Sequence, residues 1–338
     1  MPPELSDITD QISLSPQQGL GIPIALVGAV LIALGTQLQH SGVGKASSTT
    51  DTSGGLKFGQ LLALLRTPVW VIGTAVLVLA IVFQLTSISL APLTVVQPLG
   101  AVALVVTAVL NARISKVRLD SASVRAIGFC VAGVALFVAI ASVTTESKPV
   151  TERQLATVLI ILVVVLAMFA AAFIFFRTRF TPIFYIIGAG VLYGFVVTMA
   201  KVVIDRIKTL SFSGFQLGDS EWLTLLCLVG LIVAALLGGY FVQTAYSNGP
   251  PDLVVAGLTV IDPLVAIAIG IIVLGEASGA PWWAFVAFIV AGALAVYGVF
   301  QLAKHHPQTG QSATVDAIED LAERVIDKND NDNDKGTS

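Results

Sequence analysis

Asp262 is the residue of this chain whose type and position most clearly predict chemistry. It lies near the middle of the apolar stretch LTVIDPLVA, and Pro263 follows it directly. A carboxylate at bilayer depth costs about 2.5–3.5 kcal/mol on insertion scales, so it should face protein or water. Proline leaves a carbonyl of the preceding turn unpaired. We interpret Asp262 as a proton-coupling carboxylate or a cation ligand in a distorted helix. The alternative is a protonated aspartate that a neighbouring helix satisfies.

Lys201 is the second ionisable candidate and lies in the stretch GFVVTMAKVVIDRI. Tyr193, which precedes it at a helical spacing, joins the candidate set. Lys201 could meet an anionic substrate or pair with Asp262. Two alternatives stay open, because Asp205 lies four residues further on and a lysine near a helix end can extend its ammonium to the lipid headgroups.

Neutral polar side chains complete the set of candidates for binding a substrate or a coupling ion. Glutamines in membrane helices either hydrogen-bond a ligand or join helices together. We predict no catalytic residue and no metal-ligand cluster, and therefore no enzymatic activity and no cofactor. Cys130 and Cys227 fall in apolar stretches, which predicts buried core residues without a disulfide. The neutral candidates are Gln84, Gln243, Gln97, Thr94, Thr259, Tyr193 and Tyr246.

The elements that must position these residues are membrane-spanning helices. The chain is 56% hydrophobic and only 12% charged, with a mean hydropathy of +0.90. A soluble domain would be about 25% charged. Runs of about twenty apolar residues are long enough to cross a bilayer as helices. We predict an all-α polytopic membrane protein with nine transmembrane helices, at residues 20–41, 68–90, 92–112, 122–143, 154–176, 182–204, 222–246, 252–274 and 281–303.

The chain contains an internal repeat, because it matches itself at a shift of 159 residues. Gln84 then falls on Gln243, and Pro92 falls on Pro251. Helix 1 pairs with helix 6, five crossings later, and an odd number of crossings reverses the direction of a copy. The repeat therefore predicts an inverted 4+4 arrangement of helices 1–4 and 6–9, with helix 5 unpaired. Such halves can rock about a central site.

Basic residues near the helix ends predict the orientation. Ten Lys and Arg residues fall in one set of loops and four in the other, which places the N-terminus outside and the C-terminus in the cytoplasm of a plasma-membrane protein. Residues 1–19 contain no Lys or Arg, so we expect no cleaved signal peptide. The predicted parts are an outside polar segment at 1–19, the first repeat at 20–145, linking helix 5 at 153–176, the second repeat at 182–303, and an acidic cytoplasmic tail with a short amphipathic helix at 304–338.

Two glycine pairs predict close helix contacts. Gly190 and Gly194 on helix 6 have the four-residue spacing that lets two helix backbones approach each other. Gly128 and Gly133 on helix 4 are expected to pack in the same way.

Two matching segments of the repeat resemble a known superfamily. The stretch QLTSISLAPLTVVQPLG, from Gln84 to Gly100, resembles the repeated core of the drug/metabolite transporter (DMT) superfamily. The segment from Gln243 to Glu276 resembles the EamA-type version, including its Leu-Gly-Glu ending. The stretch LGTQLQHSGVGK and the nine-helix layout are similar to the NIPA branch, whose members are described as magnesium transporters. The first copy departs from the pattern at Val117, where it lacks the glutamate.

The resemblance implies a secondary transporter or permease with a DMT-like inverted-repeat fold that lacks the tenth helix. Our leading hypothesis is transport of a small solute, which could be a metabolite, a drug-like or a lipid-linked molecule, by alternating access with proton coupling through Asp262. One alternative is a Mg²⁺ transporter of NIPA type, with Mg²⁺ as substrate, and another is a non-transporting membrane scaffold or assembly partner. The expected partners are the lipid bilayer and a small-molecule or ion substrate, without nucleic acid. A homodimer and a protein partner for the tail stay open.

Overall fold

The computed structural model describes residues 16–47, 67–114, 120–176, 181–212, 221–248 and 251–305. Over those ranges the chain is helical without strands, and nine helices are long and apolar enough to cross a membrane, which confirms the predicted class. The predicted segment 1–19 lies mostly outside the described residues, and so does the predicted tail helix. The helices are α1 Pro16–Ser47, α2 Pro68–Leu90, α3a Leu93–Leu99 continued by α3b Ala101–Ile114, α4 Ser121–Thr144, α5 Glu152–Phe176, α6 Pro182–Phe212, α7 Glu221–Asn248, α8 Pro251–Ile272 and α9 Trp282–His305.

Prolines mark several helix starts. Pro68, Pro182 and Pro251 are the first residues of α2, α6 and α8, where the missing N–H of proline is not needed. Pro92 immediately precedes α3a, as predicted. The starts of these helices therefore follow from local chain chemistry.

The sequence did not predict a tightened turn within the third span. Pro98 lies inside α3a, and Gly100 joins α3a to α3b with right-handed helical angles of φ −57° and ψ −31°. Because Pro98 has no N–H, the carbonyl of Thr94 loses its helical donor, and the chain closes a tighter turn through the bond from Gly100 N to Gln97 O at 3.1 Å. The third span is therefore one helix with a local distortion after Pro98.

Helix contacts follow the predicted repeat. Helix α1 packs on α2 as α6 packs on α7, and α1 contacts α3 as α6 contacts α8. The two copies meet where α4 packs along α9 and where α3a contacts α8. Helix α5 contacts α6 and α7. This pattern agrees with a 4+4 repeat in which α5 has no counterpart.

Glycines bring α6 and α8 together beside Asp262. A Cβ atom placed on Gly194 would lie 2.7 Å from Val265 Cβ and 3.0 Å from the Asp262 carbonyl oxygen. One placed on Gly190 would lie 2.7 Å from Ile261 Cβ. The predicted close approach at this glycine pair is confirmed, and its partner is α8.

The glycines of α4 behave differently from each other. Gly133 lies directly against the backbone of α9 at Ala295, whereas a Cβ on Gly128 would meet nothing within 4 Å. The predicted packing role is therefore confirmed for Gly133 and wrong for Gly128, because the two residues lie on different faces of the helix. Cys130 and Cys227 are both buried and unbonded, as expected.

Candidate functional site

Asp262 lies halfway along α8, at the crossing with α6. Its Oδ1 atom is buried and has no hydrogen-bond partner among the described residues. Pro263 cannot donate to the Thr259 carbonyl, so a second oxygen lacks its helical donor beside the aspartate. Leaving a buried acceptor unsatisfied costs about 1–3 kcal/mol, and more when it is charged. The helix therefore carries an acceptor that a ligand, proton or water can satisfy.

One tyrosine, Tyr193 on the neighbouring helix α6, lies near this carboxylate. Tyr193 on α6 packs its ring over Gly238, where a Cβ would lie 3.2 Å from the ring edge. The Tyr193 hydroxyl lies within electrostatic range of Asp262 and of the Tyr246 hydroxyl on α7. We call Asp262 and Tyr193 the Asp262 site, and Tyr246, which is 40% exposed, interacts with Tyr193. Two sequence-predicted residues thus come together at the site, and they offer oxygen atoms without any positive charge of their own.

Lys201 lies away from that site and is 1% exposed. Its Nζ donates to Ile88 O at 3.0 Å, to Ala91 O at 3.2 Å and to Ser147 Oγ at 3.0 Å. Asp205 Oδ2 lies 3.7 Å away. Lys201 therefore pairs with Asp205 within α6, which was the alternative reading of the sequence. None of its bonds goes to Asp262. An ammonium has three donors, and here protein oxygens accept all three.

Thr94 and Gln97 lie on α3a, where the structure gives them different surroundings. The Thr94 hydroxyl donates to Glu276 Oε2 at 2.7 Å, so it is already used within the protein. Gln97 is buried, and its Nε2 has no hydrogen-bond partner among the described residues. Of these two candidates, only Gln97 keeps a donor available.

The sequence predictions did not include Glu276 as a site residue. Its carboxylate is buried and also accepts from the backbone N atoms of Leu93 at 2.8 Å and Thr94 at 2.9 Å. Gly275 has a φ of +71°, which glycine adopts readily, and this turn directs the next residue back into the bundle. The sequence feature that could have pointed to Glu276 is an acidic residue directly after a glycine at the end of an apolar span.

The remaining candidates are more dispersed. The Thr259 hydroxyl donates to Val255 O at 2.8 Å, and Thr259 lines a cavity of about 60 Å³ between α3, α4, α8 and α9 whose other walls are apolar. Gln84 is half-buried and Gln243 is exposed, and neither side chain makes a hydrogen bond with described residues. Asp262 does not line that cavity, so α8 lies between the cavity and the Asp262 site.

The described residues contain no group of three or more His, Cys, Asp or Glu side chains that could hold a metal ion. A dehydrated divalent cation needs several oxygen ligands, whereas Mg²⁺ usually keeps several of its waters. One carboxylate with one hydroxyl therefore fits a hydrated or monovalent cation better than a bare divalent one.

Comparison with known proteins assigns the chain to a family. The family model described as magnesium transporter NIPA matches residues 17–308, which include the Asp262 site and the whole of α2 to α9. The chain belongs to this family. NIPA proteins are part of the DMT superfamily, so the resemblance of the repeated segments is confirmed.

A curated relative of this NIPA-family chain is an uncharacterised protein of Corynebacterium glutamicum. The two are 26% identical over 273 residues, which cover 80% of this chain and 90% of the relative. No solved structure matches the chain. The family match and the nine apolar helices of the described residues identify a multi-pass membrane protein of a transporter family.

Proposed function

We propose that this protein transports a cation and that Asp262 binds it. The observation that supports the proposal is the buried, unpartnered Oδ1 of a carboxylate in the middle of a membrane span. A cation beside that oxygen would supply its missing partner, and the hydroxyl of Tyr193 would add a neutral ligand. Lys201 has all its donors engaged, which argues against an anionic cargo at that ammonium.

Magnesium is the first cation to test, because the matching family is described as a magnesium transporter. Mg²⁺ releases its waters reluctantly and binds through one or two carboxylates. In this proposal the ion keeps most of its waters, which donate hydrogen bonds to Asp262 and Tyr193. The absence of a carboxylate cluster from the described residues agrees with a weakly held ion that can leave again.

The inverted repeat supports alternating access as the transport mechanism. The Asp262 site lies where α6, α7 and α8 of the second copy meet, and α8 also contacts α3a of the first copy. Rocking of one copy against the other would move α3a relative to α8 while the α6–α8 crossing stays closed at its glycines. The cation would remain bound at Asp262 while access changes from one face to the other.

The test is Mg²⁺ uptake into proteoliposomes that contain a fluorescent Mg²⁺ indicator. Asp262→Asn keeps the size of the side chain and removes its charge, and loss of one charged interaction is worth about 1.5–3 kcal/mol, or at least about tenfold. We expect uptake to fall at least about tenfold in Asp262→Asn and to stay unchanged in the control Glu146→Gln, whose side chain is exposed. Uptake by Asp262→Asn equal to that of the parent protein would refute the proposed role.

A small, mainly apolar solute coupled to protons is the second candidate, and the cavity beside α8 favours it. Thr259 and Pro263 line that cavity together with Pro98 at the tightened turn of α3. A panel of Mg²⁺, other cations and apolar amines, tested by thermal shift at several pH values, separates the two functions. A ligand at 100 times its Kd stabilises the folded state by about 2.7 kcal/mol. Stabilisation by an apolar amine and not by any metal cation would favour the second candidate.

We also propose that the protein lies in the plasma membrane with its N-terminus outside, which the excess of basic residues in one set of loops supports. Protease digestion of an N-terminal epitope tag on intact cells tests the orientation. A tag that is cleaved only after the cells are permeabilised would reverse it.

A further inference from the structure

Two buried charges of the second repeat hold the turn between α2 and α3a, which belongs to the first. Helix α2 ends at Leu90 and α3a begins at Leu93, so free carbonyls and free N–H groups meet at this turn. Lys201 binds the carbonyls at the end of α2, and Glu276 binds the N–H groups at the start of α3a. A cation at a helix C-terminus and an anion at an N-terminus both match the helix dipole. Each charge is therefore placed at the end that stabilises it.

The same bonds join several connections at one end of the bundle. Ser147, in the connection from α4 to α5, accepts from Lys201 at 3.0 Å. Glu146 N donates to the backbone O of Glu276 at 2.9 Å, which ties the α4–α5 connection to the α8–α9 connection. Lys201 is 1% exposed and Glu276 is 2% exposed. We call Lys201, Glu276 and the groups they bind the latch, and the end of the bundle that contains it the latched face.

The sequence does not repeat the two charges of the latch in the other half of the repeat. At the shift of 159 residues Lys201 corresponds to Gly42 and Glu276 corresponds to Val117, and neither carries a charge. In an inverted repeat these positions serve the equivalent turn, between α7 and α8, at the opposite membrane face. Buried charges therefore hold one face of the transporter, whereas the equivalent positions of the other half carry no charge.

We propose that Lys201 and Glu276 are positioning residues that keep the latched face closed, and that alternating access requires both to release the α2–α3a turn. The inference rests on the proposed transport function, because it assumes that this face opens during the cycle. Opening separates α6 and the α8–α9 connection from the turn, so Glu276 loses its three donors and Lys201 keeps only its ion pair with Asp205, which is costly. The resting protein is then accessible from the unlatched face. In the predicted orientation, the latched face is the outer one.

Accessibility of a cysteine behind the latch tests this proposal. Gly21 of α1 contacts the turn, since a Cβ there would lie 2.8 Å from Ala91 Cβ. Ala25 lies one helical turn deeper and is 2% exposed. The reporter is therefore Ala25→Cys in a full-length chain whose two native cysteines are replaced by alanine. The measurement is its rate of reaction with a charged, membrane-impermeant maleimide in the absence of any cargo.

We expect slow labelling in the reporter protein and labelling at least about fivefold faster with Lys201→Met or Glu276→Gln, because each variant shifts the population towards the open face. Thr94→Val removes one of the three bonds to Glu276 and should give a smaller increase. Arg206→Gln is the matched control on α6, because Arg206 lies 3.9 Å from Glu152 and outside the latch, and it should leave the rate unchanged.

Labelling at the reporter rate in both charge variants would overturn the latch. If neither charge variant folds, as judged by size-exclusion chromatography, an unchanged rate in Thr94→Val overturns it instead. The readout contains no cargo, so failure of Mg²⁺ uptake would refute the proposed cargo and leave the labelling result standing. Conversely, unchanged labelling with normal uptake would refute the latch alone.

Discussion

Replacing Gly133 with alanine tests the contact that joins the two copies of the repeat. A Cβ atom on Gly133 would lie 2.8 Å from Ala295 Cα and 2.9 Å from the carbonyl oxygen of Ala291. These are backbone atoms, which cannot rotate out of the way as a side chain can. Helices α4 and α9 would have to move apart along their interface to admit one methyl group.

The size of the effect follows from the geometry and from a control on the same helix. Carbon atoms in favourable contact lie about 3.5–4.0 Å apart, so the helices must separate by about 1 Å. Overpacking of this kind costs about 1–3 kcal/mol. Gly128→Ala makes the same substitution where nothing lies within 4 Å. The gain in helix propensity, about 1 kcal/mol for alanine over glycine, is common to both variants and cancels in their difference.

Thermal unfolding of the purified variants in one detergent measures that difference. A change of 1 kcal/mol shifts Tm by about 2–4 °C in proteins of about 150–250 residues. We therefore expect Gly133→Ala to unfold roughly 2–12 °C below Gly128→Ala, with Gly128→Ala at or slightly above the parent protein. Equal Tm values for the two variants would show that α4 and α9 do not approach as closely as the structure indicates.

Three further substitutions test other contacts. Glu276→Gln replaces one acceptor oxygen with an NH2 group, which then faces the N–H donors of the turn. Its Tm should correspond to a loss of about 2–4 kcal/mol in the free energy of unfolding relative to the exposed control Glu146→Gln. Equal Tm values would exclude a buried helix cap. Gly194→Ala pushes α6 away from α8, so the Mg²⁺ concentration that gives half of the thermal stabilisation should rise at least about threefold; an unchanged midpoint would separate this crossing from the binding site. Val158 on α5 is 0% exposed, so Val158→Ala should lower the free energy of unfolding by about 1–2 kcal/mol. Val163 is 61% exposed, so Val163→Ala should leave the free energy of unfolding unchanged. Equal effects would refute the packed face of α5.

The architecture was largely predictable from the sequence. Hydropathy summed over about twenty residues identifies a span whatever its neighbours are. The shift of 159 residues, combined with the number of crossings, predicted the inverted repeat. Local rules also held at Pro92 and at the glycine pair Gly190 and Gly194, because helix starts and small contact residues are properties of one helix. The ends of α1 and α6 were less predictable, since a helix can continue past its apolar part into polar residues.

The candidate site was predictable only in part. The position of Asp262 in an apolar span marked it in the sequence, because an acid at that depth is costly wherever the helix packs. Tyr193 and Tyr246 were candidates, but only the packing of α6, α7 and α8 brings Tyr193 near Asp262 and Tyr246 near Tyr193. Helical periodicity tells which residues share a face, and it does not tell which other helix covers that face.

The partners of the buried charges were decided by the tertiary structure alone. From the sequence, Lys201 could have met a substrate, Asp262, Asp205 or the lipid headgroups, and Glu276 was only the end of a motif. In the fold both bind backbone groups of a turn more than one hundred residues earlier in the chain. Composition and the internal repeat predicted nine spans in two inverted copies, and the described residues contain nine helices that are long and apolar enough to cross a membrane. Which oxygen or N–H group each charge meets depends on contacts between distant segments, and those exist only once the helices have packed.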